Sequence, residues 1–124
     1  MKKETILRRV PALCIAALIF YLSSRPTLPV PLPPILGADK LAHLAAYAVL
    51  SFLACFWIRA ESWKRRPVLF FVSVVLIVSL YGALDEFHQS FVPGRMPSVW
   101  DWLADTLGAG LGVLVYRGIP KPLR

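Results

Sequence analysis

The sequence has 124 residues, 57% of them hydrophobic and 17% charged, with a mean hydropathy of +0.63 and a formal net charge of +7. A soluble domain carries about a quarter charged residues and an apolar fraction just under half. The composition therefore excludes an ordinary soluble domain, and hydrophobicity this high excludes a disordered chain. Cys14 and Cys55 both lie inside apolar runs, which leaves neither a disulfide framework nor a zinc ribbon. The reading is a single integral membrane domain over 1–124.

Four apolar segments predict helices at about 6–24, 41–58, 68–90 and 99–117. Each approaches the roughly 20 residues that cross a hydrocarbon core, and none alternates as a barrel strand does. Backbone groups in lipid must be satisfied within the segment, which makes these segments helices. After the first, Tyr21 to Pro26 offers no A-x-A-like cleavage site, so this helix is expected to be retained. The loop from Arg25 to Ala38 contains Pro26, Pro29, Pro31, Pro33 and Pro34 and should be extended and stiff. A second connection, Val92 to Pro97, is rich in turn residues.

Charge placement orients these helices. Of the fourteen Lys and Arg residues, all but Arg25, Lys40 and Arg95 fall at Lys2, Lys3, Arg8 and Arg9, at Arg59, Lys64, Arg65 and Arg66, or at Arg117, Lys121 and Arg124. These clusters share one side of a four-helix arrangement, so the positive-inside bias sets both termini in the cytoplasm. That bias accounts for the net charge without a nucleic-acid partner. Tyr21, Trp100 and Trp102 should mark the outer membrane edge, and Trp57, Trp63 and Tyr116 the inner one.

The acids carry the functional signal. Glu4 and Glu61 sit among the basic clusters, while Asp39, Asp85, Glu86, Asp101 and Asp105 fall toward the outer helix ends. At 1.5 Å per residue, Asp105 lies on the order of 10 Å below the outer boundary. Ionisable residues at such depth are costly and mark a paired or functional site. At 100° per residue, Asp39, Lys40, His43 and Tyr47 share one face of the second helix. Tyr81, Asp85, His88 and Gln89 share a face of the third, with Glu86 further round. Asp101, Asp105, Gly108 and Gly112 share a face of the fourth, where the Gly-x-x-x-Gly spacing lets helices pack closely. Three helices thus converge on one outward-facing polar cluster.

Several plainer roles compete for these residues. Asp39 can be an N-cap, and Ser98 with Asp101 resembles a capping box. Asp85 and Glu86 stand near a helix C-terminus, where the dipole disfavours anions, and need a partner such as Arg95, Lys40, His43 or His88. A structural salt-bridge network is one outcome. Asp85-x-x-His88 with Asp101-x-x-x-Asp105 also offers ligand types for a divalent metal. His43 beside a carboxylate suits acid–base work, and the planar fork of Arg95 suits a phosphate or carboxylate.

At Asp39-Lys-x-x-His43-x-x-x-Tyr47, and at Asp85-Glu-x-x-Gln89-x-Phe-x-Pro-Gly-Arg95, the sequence resembles the VanZ-like family of small bacterial membrane proteins. Ser98-x-x-Asp101-x-x-x-Asp105-x-x-Gly108-x-x-x-Gly112 continues the pattern, although many members carry Asn where this chain has Asp105. The family is named for a member associated with resistance to the glycopeptide teicoplanin. The resemblance implies a site at Asp39, Lys40, His43, Tyr47, Asp85, Glu86, Gln89, Arg95 and Asp101 in the bacterial cytoplasmic membrane. The leading expectation is a pocket, roofed by the proline-rich loop, that binds an anionic envelope component such as a lipid-linked phosphate or cell-wall precursor. In that pocket Asp39, Lys40, Tyr47, His88, Gln89, Arg95 and Asp101 would hold the ligand, without a resident cofactor. The alternative is an intramembrane enzyme acting on such a headgroup, with His43, Asp85, Glu86 and Asp105 as acid–base groups or metal ligands. A plain membrane scaffold is the third.

Overall fold

A computed structural model describes residues 2–29, 31–33 and 37–121. Pro34 of the proline-rich loop and Arg124 of the last basic cluster lie outside the described residues. Among those described, the secondary structure is helical throughout, with no strand. The elements are α1 (Lys3–Ser23), α2 (Ala38–Ala54) closing in a 3₁₀ turn (Cys55–Trp57), α3 (Ala60–Arg65), α4 (Pro67–Gln89) and α5 (Val99–Gly118). Three stretches, Lys3–Ser23, Ala38–Trp57 and Pro67–Gln89, are long and apolar enough to cross a membrane. The fourth long helix, α5, has 20 residues and carries Asp101 and Asp105 in its first two turns.

Local chemistry explains most boundaries. Pro67 opens α4 at its first helical position, where a missing N–H costs nothing. Ser98 caps α5 by accepting from Trp100 N at 3.1 Å. Asp39 does not cap α2: the N-cap is Gly37 at φ 82°, a conformation glycine adopts freely, and Asp39 stands in the first turn. The basic loop holds a short helix not read from the sequence. α3 is supported by an exposed Glu61–Arg65 pair at 2.7 Å and by Trp63, which points into the protein.

The long helices alternate in direction. Ser23 at the end of α1 meets Asp85 near the end of α4, while His43 near the start of α2 meets Asp105 near the start of α5. The C-terminal end of α1 therefore meets the acid-bearing ends of α2, α4 and α5. At the other end, Lys2 and Lys121 border one common cavity. α2 and α5 run parallel and form the closest pair, with α4 against α5 and α1 against α2. A Cβ at Gly108 would run into the Leu44 carbonyl, and one at Gly112 into Ser51 Oγ and the Ala48 carbonyl. The Gly-x-x-x-Gly face is thus the seam against α2.

The distribution of polarity is inverted relative to a protein folded in water. Leu76, Ile77, Leu80, Leu84, Phe87 and Leu107 are exposed, whereas Asp85, Glu86, Asp101 and Asp105 are buried. An apolar exterior over a polar core fits a lipid solvent. The apolar core lies toward the opposite end, around Val113, Cys55, Trp63 and Tyr116. Trp63 and Tyr116 pack there with tilted rings, 5.5 Å between centroids, and Trp63 Nε1 donates to Cys55 O at 3.2 Å. These two rings are core residues, a correction to their reading as edge anchors, whereas Trp57 and Trp100 are exposed.

Candidate functional site

The sequence-predicted residues divide into two adjoining networks. The first centres on His43. Its Nδ1 lies 2.7 Å from Asp105 Oδ1 and 3.9 Å from Glu86 Oε1, and its Nε2 lies 3.9 Å from Asp101 Oδ2. Asp105 is fully buried, and Asp101 and Glu86 are nearly so. Lys40 stands at the mouth, 2.5 Å from the exposed Asp39 and 2.9 Å from Asp101 Oδ1. Glu86 Oε2 accepts from Ser98 N at 3.0 Å, which ties α4 to the N-cap of α5. Glu86 Oε1 and Asp105 Oδ2 have no hydrogen-bond partner among the described residues.

The second network centres on Asp85. Ser23 Oγ donates a short hydrogen bond to Oδ1, and Tyr47 OH donates to Oδ2 at 3.2 Å. Gln89 Nε2 donates to Ser23 Oγ at 3.2 Å. Asp85 is thus a fully engaged acceptor linking α1, α2 and α4. Tyr47 and His43 lie one turn apart on α2 with near-parallel rings, which sets the two networks side by side.

Two expected members stand apart from the carboxylates. His88 Nε2 pairs with Ser24 Oγ at 2.9 Å, and its ring stacks on Phe20 at 4.8 Å, facing α1. It therefore does not complete the metal set read from Asp85-x-x-His88. Arg95 donates from Nε to Arg25 O at 2.7 Å and from Nη2 to Leu22 O, so its fork fastens the second outer connection to the end of α1 and the start of the first connection. It nevertheless borders a small cavity of about 140 Å³ beside His43, Tyr47, Asp85 and Gln89, over which Leu28 and Leu32 of the proline-rich loop are placed.

Ser23 and Gly82 were not legible as site residues. Ser23 sits in an unremarkable Leu-Ser-Ser run. Gly82 matters through what it lacks: a Cβ there would stand 2.9 Å from Asp105 Oδ2 and 3.2 Å from the Tyr47 ring. Its position one turn before Asp85 was the available signal.

The donor set suits a divalent cation better than the sequence motif did. One ligand atom each from His43, Glu86 and Asp105 lie within 4.8 Å of one another. With metal–ligand bonds of roughly 2.0–2.6 Å, that is about the span across one ion's shell. Of the three buried carboxylate oxygens without a hydrogen-bond partner, Glu86 Oε1 and Asp105 Oδ2 belong to this trio, and the third, Asp101 Oδ1, faces Lys40. Buried carboxylates without partners require a proton or a cation for neutralisation.

The comparisons with known proteins bear on the same helices. The family described as VanZ/LLP1 matches residues 8–120. This chain belongs to that family. It is also similar to the Uncharacterized protein C11E3.10 of Schizosaccharomyces pombe, with 33% identity over 113 residues. The match takes in 89% of this chain and 64% of the fungal protein, so the chain spans less than two thirds of that relative's length. No solved structure matches this VanZ/LLP1 chain. The matched region contains every member of both networks.

Proposed function

We propose that this VanZ/LLP1 protein crosses the membrane four times, with α5 as the fourth span and the basic end in the cytoplasm. Its carboxylate–histidine cluster then opens at the outer face, where it acts on the phosphate of a lipid-linked envelope component. The observation that carries this reading is the His43–Asp105 pair, 2.7 Å apart and enclosed by Glu86 and Asp101. The cluster holds more carboxylates than cations, and Arg95 is committed to backbone carbonyls. An anionic headgroup would be repelled there unless a cation came between. Glu86 and Asp105, through the oxygens that lack partners, would hold a divalent ion, which would supply charge neutralisation and polarise a phosphoryl oxygen.

This chain's residues then have distinct tasks. Lys40, at the mouth, attracts the headgroup. Asp105 orients the imidazole through Nδ1, which leaves Nε2 to take a proton from a water attacking phosphorus or to return one to the leaving oxygen. Ser98 N holds Glu86 in position, and the Asp85 network fixes α1 and α4 around the site. Binding without turnover, with an effect on glycopeptide susceptibility, is the second reading; the half-exposed Lys40, held at the mouth by Asp39 and Asp101, favours it.

The deciding experiment uses the full-length protein purified in detergent, with phosphatidic acid and a polyprenyl phosphate as headgroup probes. The expected result is phosphate release that requires a divalent cation and is lost in His43→Gln, with both probes still bound. Binding of either probe without release, under every cation tried, would instead establish the second reading.

A further inference from the structure

A second cavity, of about 970 Å³, lies away from the carboxylates at the opposite end of the bundle. That is at the upper end of the range for small-ligand sites. Its basic lining comes from three separate stretches of chain: Lys2, Arg8 and Arg9 from the start of α1, Arg59 and Lys64 around α3, and Lys121 after α5. Glu4 and Glu61 are the acids on its wall, and Glu61 is already paired with Arg65. None of the six cations has an ion pair among the described residues, although Lys121 donates to the Tyr116 and Ile119 carbonyls. Arg9 rests over the Trp57 ring at 5.6 Å, and Lys121 over Tyr116 at 3.8 Å.

A positive-inside bias needs basic residues on one side of a membrane, but it does not need them gathered round a concavity. Convergence of six like charges from distant parts of the chain is electrostatically unfavourable until an anion enters. The rim adds a second element: Phe56 and Trp57 are partly exposed at the end of α2, where aromatic rings sit at headgroup level. We infer that this cavity is a binding site for the phosphate headgroup of an anionic phospholipid, separate from the outer carboxylate site. The acyl chains of such a lipid would lie along the apolar exterior near Leu7 and Val10 of α1, both exposed. Basic groups near anionic headgroups add attraction that is screened by salt.

The test is native mass spectrometry of the full-length protein in detergent, titrated with phosphatidylglycerol, phosphatidylcholine or inorganic pyrophosphate. Phosphatidylglycerol should bind in preference to phosphatidylcholine. The double variant R8Q/R59Q should weaken it about 30-fold, or about 2 kcal/mol, at roughly 1 kcal/mol per basic residue. R66Q/R117Q removes the same charge from the same end but outside the cavity lining, and should retain binding. If R8Q/R59Q accumulates poorly, R59Q/K64Q carries the same test on exposed positions. Pyrophosphate competing at equal concentration would support the site and assign it to a soluble phosphate compound. Equal losses in the two charge-matched doubles, or no preference for the anionic lipid, would overturn the proposal.

Discussion

Gly108→Ala and Gly110→Ala place the same methyl group two residues apart on α5 in opposite environments. Nothing lies within 4 Å of a Cβ at Gly110, whereas one at Gly108 would meet the Leu44 carbonyl, with Leu44 C and Cα at 3.0 Å. Ordinary carbon contacts are about 3.5–4.0 Å, so α5 must retreat from α2 by roughly 0.5–1 Å. The helix-propensity gain of about 1 kcal/mol is common to both substitutions and cancels between them. What remains is overpacking of about 1–3 kcal/mol. Asp105 lies one turn from Gly108, and His43 is next to Leu44, so the same retreat stretches their 2.7 Å bond. A charge-assisted bond contributes about 1.5–3 kcal/mol. Gly108→Ala should therefore be less stable than Gly110→Ala by about 2 kcal/mol or more, roughly a 30-fold change in the unfolding equilibrium. Equilibrium unfolding of the purified variants in mixed micelles, followed by circular dichroism, measures this gap. Stabilities within about 0.5 kcal/mol of each other would refute the reasoning, because the seam would then tolerate the methyl group.

Other outcomes follow from the two networks. Asp105→Asn keeps the shape beside His43 but removes its charge, so headgroup turnover should fall by about 10²–10⁴ while far-UV circular dichroism is unchanged. Asp85→Ala leaves Ser23 and Tyr47 without their acceptor and should cost about 1–3 kcal/mol in the same unfolding assay, since buried donors lose their partner. Divalent cation binding, read by isothermal titration calorimetry, should approach one ion per chain, vanish in Glu86→Gln and weaken as the solution is acidified, because the carboxylate ligands must be deprotonated. Arg95→Lys cannot span both Leu22 O and Arg25 O. It should speed proteolysis in the outer connections while leaving cation stoichiometry intact.

Sequence pattern alone determined a good deal of this molecule. Apolar runs of nearly membrane-crossing length placed the four long helices within about four residues of their observed ends, because helix formation in an apolar chain depends on local composition and backbone satisfaction. The 3.6-residue period also set His43 with Tyr47 and Asp101 with Asp105 on common faces. The close seam at Gly108 and Gly112 was legible because only a missing side chain admits backbone contact. Which faces meet is a different question, decided by packing across helices far apart in sequence. Tertiary structure gave Asp105 as the partner of His43, sent His88 to Ser24 and Phe20, and used Arg95 to bind the carbonyls of Leu22 and Arg25 instead of Asp85 or Glu86. It folded the basic loop into α3 and drew Trp63 inward, since a ring beside Tyr116 and Cys55 O buries more apolar surface than one at an edge. It also gathered cations from three distant stretches around one cavity, a convergence that no spacing within the chain encodes.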